Sequence, residues 1–233
     1  MKDALVIMAK APIAGNVKTR LIGALDADAA ANLYAAFLCD TFAMAEEIRD
    51  ELEAEAEAEE IDYLLSVILC YTPQEQEEAF ESIEREGSLM MPQRGRDLGE
   101  RLQNCFDDLL SAGYENVVII GGDSPTLPGE YLLDAFDSLD NESAVVIGPT
   151  PDGGYYLIGM RRFHRQLFDG IFWGTDQVLM QTQQRASQLH LEVTLLPEWY
   201  DVDTPTDLER LKRELRETSQ IAVHTRKFLR SVS

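Results

Sequence analysis

Apolar and polar positions along this chain switch repeatedly between a strand rhythm and a helix rhythm. Residues 4–9 (ALVIMA) form an unbroken apolar run, the mark of a strand buried on both faces. A polar loop follows. In the next stretch, from about Asp28 to Ile48, Leu33, Phe37, Leu38 and Phe42 recur near helical spacing. The pattern then predicts a strand within Ile61–Tyr71, a helix over Pro73–Arg85 and a short strand at Leu89–Met91. DLGERLQNCFDDLLSA reads as a helix, with Asp97 as an acidic N-cap and Glu100 as its partner three residues on. Asn116–Gly121 (NVVIIG) is the clearest strand. After it come a helix near Gly129–Leu139, strands at Ala144–Gly148 and Tyr155–Gly159, and a helix from Asp176 to about Leu189. A strand at Glu192–Leu196 and a helix at Pro205–Glu217 close the series.

Strands that alternate with helices imply an α/β fold with a mostly parallel sheet covered on both sides, in which ligands bind outside the carboxyl ends of the strands. No Pro/Gly/Ser-rich linker interrupts the series, so residues 1–217 are expected to form one domain, with 218–233 as a C-terminal surface tail.

Composition removes several function classes. The formal net charge of −22 argues against nucleic acid, whose phosphate backbone needs a basic footprint. Residues 46–60 carry nine carboxylates and one arginine, and read as the solvated end of a long helix. No apolar run approaches the roughly 20 residues that span a bilayer, and no signal-peptide pattern opens the chain. Cys39, Cys70 and Cys105 are odd in number and far apart, which argues against a disulfide framework or a cysteine-rich zinc site and favours a reduced, cytoplasmic setting. Five lysines against fifteen arginines raise adaptation to salt as a further expectation.

Four polar stations follow predicted strands. AKAPIAGNVKTRL gathers Lys10, Lys18 and Arg20 around a turn with Pro12 and Gly15, a combination suited to phosphate. It is not a Walker loop, because Val17 stands where that motif needs glycine. QRGRDLGER offers Gln93 to a base edge, and Gly95 and Gly99 to the close approach of a flat ring. GGDSPTLP delivers Asp123 from an apolar strand to a point where a hard cation can be held. Magnesium takes only one or two protein carboxylates and completes its shell with phosphate oxygens and water. EWYDVDTPTDLERL supplies Asp203 as the second ligand, with Asp201 as the alternative, and Thr204–Pro205 as a helix start.

Between the last two stations, Gly153 and Gly154 suit close approach of a sugar or acceptor, and Asp152 suits its placement. Trp173 suits stacking on a ring, with Thr175 and Asp176 as polar anchors and Asp176 as a candidate base. His164, His190 and His224 share no ligand spacing.

In order, AKAPIAGNVKTRL, QRGRDLGER, GGDSPTLP, GPTPDGGYYLIG, FWGTD and DVDTPTDL resemble the DUF2064 family, also called selenodomain-associated transferase 1, over about residues 4–215. That family belongs to the glycosyltransferase-A-like, nucleotide-diphospho-sugar transferase superfamily. The resemblance implies a three-layer Rossmann-like sandwich of glycosyltransferase-A type, with a nucleotide pocket at the carboxyl ends of its strands. It implies that Asp123 and Asp203 fall at metal-binding positions, and that Lys18 and Arg20 fall in a phosphate-binding loop. Two departures stand out: Gly121-Gly122-Asp123-Ser124 replaces a local D-x-D pair, and Ala11-Pro12 with a single Gly15 replaces a GxGxR loop.

The expected chemistry is transfer from a nucleotide-activated substrate with Mg²⁺ or Mn²⁺. Nucleotidyl transfer, releasing pyrophosphate, is favoured over glycosyl transfer and over nucleotide binding without turnover. Lys18, Arg20, Asp123 and Asp176 are the expected catalytic groups. The expected partners are a nucleoside triphosphate or nucleotide sugar and a small-molecule acceptor, with a homodimer left open.

Overall fold

A computed structural model of the chain describes residues 1–83, 88–140, 144–218 and 221–232. Its first strand, β1 (Lys2–Lys10), sends Leu5, Ile7 and Ala9 to one face of a sheet and Ala4 and Val6 to the other, as its unbroken apolar run requires. β2 (Leu64–Thr72) and β4 (Val117–Gly121) flank it in parallel, and β3 (Leu89–Pro92) pairs in parallel with β2. β5 (Val145–Pro149) and β6 (Tyr155–Met160) are joined by a tight turn at 150–154, too short for a parallel crossover, so β6 runs antiparallel to both β4 and β5. β7 (Val193–Leu195) closes the edge beside β5, and the order is β3-β2-β1-β4-β6-β5-β7.

Helices cover both faces, giving three layers. On one face lie α1 (Ala27–Ala58), α3 (Glu130–Asp140), α5 (Pro205–Glu217) and α6 (Val223–Ser231), which share a core containing Phe37, Phe42, Phe136, Leu211 and Leu229. On the other lie α2 (Leu98–Ser111) and α4 (Val178–Gln188), packed through Leu102, Phe106 and Ala186. Each large side chain fully buried here contributes about 1.5–3 kcal/mol.

The first helix continues ten residues past Ile48, so the acidic run is its solvated end as far as Ala58, as its charge pattern predicts. Two other elements depart from the sequence reading. The helix expected over Pro73–Arg85 is a 3-10 segment, Gln74–Phe80, kinked at Gln76, and residues 84–85 lie outside the described residues. The expected surface tail instead contains α6, whose Thr225 and Leu229 are buried against α1. The buried Asp40 carboxylate of α1 accepts from the backbone N–H of His224 (2.8 Å) and Thr225 (2.7 Å), holding the start of that helix.

Candidate active site

The loop after β1 bends so that Lys18 takes left-handed backbone angles, φ 47° and ψ 36°, which are uncommon for a residue with a side chain. Its side chain is almost wholly buried, with Nζ 5.5 Å from the ring centre of Tyr34 and 5.6 Å from that of Phe37. Nζ reaches Asp123 Oδ1 at 2.5 Å and Asp203 Oδ1 at 2.9 Å. Burial alone would lower the pKa of this ammonium, but the charges and hydrogen bonds of the two aspartates outweigh it and hold it above the ordinary lysine range. The carboxylates themselves are half open, at 41% and 46% side-chain exposure. Two carboxylates 80 residues apart in sequence thus meet on one cation.

Local structure explains why they meet. β4 delivers Asp123 to its carboxyl end. Gly122 sits where an added Cβ would come within 2.3 Å of Leu38 Cδ2, so the absence of a side chain lets α1 close behind the loop. The Val202 N–H donates to the Asp123 carbonyl at 2.9 Å, tying the β4 loop to the segment before α5. There Thr204 caps α5 in a reciprocal capping box with Asp207, and Pro205 opens the helix. Because Thr204 and Asp207 do the capping, the Asp203 carboxylate remains directed at Lys18.

Asp201 joins the group from the same segment. Ser124 Oγ donates to its Oδ1 at 2.7 Å. Burial of the carboxyl, helped by the charge of Asp123, pushes its pKa up to about 7.

These residues border a cavity of about 630 Å³ at the carboxyl ends of β1 and β4, beneath the first turn of α2. Its charged lining is Lys10, Lys18, Arg20 and Arg101 against Asp97, Asp123, Asp201 and Asp203. Four cations facing four carboxylates make this a cation-rich place in a chain with 42 acidic and 20 basic residues. Of the residues expected from sequence, Lys10, Lys18, Arg20, Gln93, Asp123 and Asp203 line the cavity together. Asn16, Arg101, Tyr155 and Tyr156 line it too, each inside one of the sequence motifs without a role read from it, and Tyr34 joins them from outside every motif.

The others lie elsewhere, each for a visible reason. Pro12, Gly15 and Gly95 are outside the lining, and Gly15 has nothing within 4 Å of a built Cβ. Gly95, at φ +140°, gives room to the start of α2, where an added Cβ would come within 2.7 Å of Glu100 Cβ. Gly99 is filled by the protein itself, since an added Cβ would come within 2.3 Å of Trp173 Nε1. Trp173 stacks on Phe168 (6.4 Å, 26°) and meets Tyr155 edge-on, so its ring belongs to the core instead of a ligand. Gly153, at φ +85°, admits the backbone of Asp176, whose carbonyl oxygen would be 2.0 Å from an added Cβ.

Gly154 and Asp152 close the β5–β6 turn, with Asp152 Oδ1 accepting from Thr150 Oγ1 (2.6 Å) and Gly154 N (3.2 Å). Thr175 Oγ1 donates to the Phe172 carbonyl at 2.7 Å, and the exposed Asp176 does not line the cavity. Gln93 does line it, yet its Nε2 donates to the carbonyls of Cys70 (2.8 Å) and Ala9 (3.1 Å), leaving no N–H for a base.

Among the described residues no group of three or more His, Cys, Asp or Glu is arranged to hold a metal. A site built from protein ligands alone therefore does not fit. Two half-open carboxylates fit a magnesium or manganese ion that arrives with phosphate oxygens, and the Lys18 ammonium already shows that a cation is stable between them.

The family described as uncharacterized protein conserved in bacteria (DUF2064) matches residues 57–175. A search of curated proteins finds no match. Among solved structures, a candidate nucleotide-diphospho-sugar transferase from Desulfovibrio desulfuricans G20 superposes with a TM-score of 0.84 at 33% identity, covering 98% of this chain and 94% of its own. The CMP:2-keto-3-deoxy-manno-octonic acid synthetase complexed with CTP gives a TM-score of 0.52 at 12% identity, covering 93% and 99%. The Rv0371C protein of Mycobacterium tuberculosis H37Rv in complex with manganese gives 0.50 at 15% identity, covering 89% and 96%. The last two likenesses are of fold.

Proposed function

The chain belongs to the DUF2064 family, and from that premise we propose that it is a metal-dependent nucleotidyltransferase joining a nucleoside triphosphate to a phosphorylated acceptor. The observation that carries this reading is the Lys18 ammonium buried between Asp123 and Asp203 at the edge of the cavity. An acceptor phosphate oxygen attacks the α-phosphorus. The bond from that phosphorus to its bridging oxygen breaks, and pyrophosphate leaves with the electron pair. Such chemistry asks a protein mainly for positioning and for charge neutralisation. A divalent cation on Asp123 and Asp203 would supply part of that neutralisation when bound. Lys18 and Arg20 supply the rest, facing the departing pyrophosphate, while Tyr34 and Phe37 hold Lys18 out of water.

Three further points favour this reading. The cavity lining is richer in cations than the chain as a whole. One relative by fold is named with CTP and another with manganese. Asp176, the candidate base for a sugar hydroxyl, and Asp152, expected to place the sugar or acceptor, do not line the cavity, which weakens glycosyl transfer.

The test is pyrophosphate release from each of the four nucleoside triphosphates with Mg²⁺ and a panel of sugar phosphates. One triphosphate–acceptor pair should turn over, and Lys18→Met should lower kcat/KM by roughly a hundredfold or more. No pyrophosphate from any pair, with nucleoside diphosphate released from a nucleotide sugar, would replace nucleotidyl with glycosyl transfer.

A further inference from the structure

Arg101 stands on the α2 wall of the cavity and differs from the arginines around it. Arg94 is paired with Asp108 at 2.5 Å, and Arg96 with Glu100. The acid at helical spacing from Arg101 is Asp97, four residues earlier, but its Oδ1 is committed to the Glu100 N–H at 2.9 Å as the cap of α2. Among the described residues Arg101 has no carboxylate partner. Its hydrogen bonds go instead to neutral oxygens, from Nη1 to Gln93 Oε1 (3.3 Å) and from Nε to the Gly95 carbonyl (3.2 Å).

Those acceptors are themselves anchored. Gln93 is fixed through its side chain to the carbonyls of Ala9 and Cys70, and through its backbone N–H to the Tyr71 carbonyl at 2.7 Å. The ends of β1 and β2 therefore hold Gln93, and Gln93 holds the guanidinium. Two of its five N–H donors are used, which leaves adjacent donors and no acceptor. The same cavity is lined also by apolar Met8, Leu102 and Ile119. A flat, donor-only group anchored in a partly apolar cavity matches the needs of a heteroaromatic ring, whereas the phosphate end is already provided by Lys18 and Arg20.

We propose that Arg101 reads the nucleotide base and selects an edge bearing two adjacent acceptors. Cytosine offers O2 and N3, and guanine offers O6 and N7. Adenine places an amino donor beside each such ring nitrogen, and the N3–H of uracil is itself a donor, so both leave the fork mismatched. The inference rests on the nucleotidyl reading and adds its base preference.

Titration calorimetry of the full chain with Mg²⁺ and each of CTP, GTP, UTP and ATP tests it, with inorganic tripolyphosphate as a probe that has no base. The wild type should bind CTP or GTP roughly tenfold or more tighter than UTP and ATP, the discrimination expected of one bidentate pair. Arg101→Met, and Arg101→Lys, which keeps the charge but loses the fork, should bring the four nucleotides together. Both should bind tripolyphosphate as the wild type does, and their thermal melts report that they fold. Equal affinities in the wild type, or a preference for ATP or UTP, would overturn the assignment and leave nucleotidyl transfer standing. Loss of tripolyphosphate binding in folded Arg101→Met would move Arg101 to the phosphates and likewise overturn it. Binding of tripolyphosphate but of none of the four nucleotides would overturn the nucleotidyl reading and this inference together.

Discussion

Burial and the charge of Asp123 push Asp201 up to about 7, against the hydrogen bond from Ser124 and the nearby charge of Lys18. An aspartate that holds its proton more tightly when folded than when unfolded stabilises the fold most at low pH. Its contribution is complete below the ordinary value of 3.8 and is lost as pH rises through about 7. Metal-free protein should therefore lose on the order of 3 kcal/mol of unfolding free energy from Asp201 between about pH 4 and pH 7. Asp201→Asn should flatten that slope, as read by urea unfolding across the range. An equal slope in the variant would mean that other groups carry the dependence.

At this scale the sequence showed which residues were chemically able but not which were already engaged. Lys18, Asp123 and Asp203 stood out because each follows a strand or opens a helix in a doubly wound pattern. Gly99 and Gly153 looked the same as glycines that admit a ligand, since the absence of a side chain does not reveal what fills the space. Trp173 and the Asp176 backbone fill it. Arg101 was hidden for the opposite reason. Its spacing from Asp97 suggests an ordinary i,i+4 ion pair, and only the structure shows Asp97 spent on capping.

Among the elements, the strands were legible because burial on both faces imposes an apolar run that few other structures need. The antiparallel direction of β6 is implied as well: the strands expected at Ala144–Gly148 and Tyr155–Gly159 leave six residues between them, too few for a parallel crossover. The end of the first helix is legible from its charge run instead, since solvated glutamates and alanines are good helix formers without an apolar stripe to mark them. α6 looks like a tail in the sequence because its anchor, Asp40, lies 184 residues away from His224. A carboxylate accepting two backbone N–H groups at a helix start combines capping with the favourable end of the helix dipole. Asp40→Ala should cost about 2–3 kcal/mol in urea unfolding and open 223–232 to proteolysis before the rest of the chain. Unchanged stability with a protected C-terminus would remove Asp40 as the anchor of α6.

For the whole molecule, the sheet gathers at one edge what the chain disperses. Loops after β1 and β4 and the segment before α5 converge on the carboxyl ends of central strands, where a doubly wound sheet leaves a crevice. The converging set holds its charge in balance, although the rest of the surface is strongly acidic. Lys18 and the two aspartates are mutually satisfied, so metal and phosphate must each compete with an existing ion pair. That opposition gives the central claim a test with two signs. Asp123→Asn removes a metal ligand and also frees Lys18 from one of its two carboxylates. Calorimetric titration of inorganic tripolyphosphate into wild type and Asp123→Asn, with Mg²⁺ and with EDTA, reads both effects. The variant should bind the Mg²⁺ complex roughly tenfold or more weaker than the wild type, a difference of about 1.4 kcal/mol, yet bind the metal-free anion more tightly. Equal affinities in both proteins with Mg²⁺, or a loss of metal-free binding in the variant, would contradict the account.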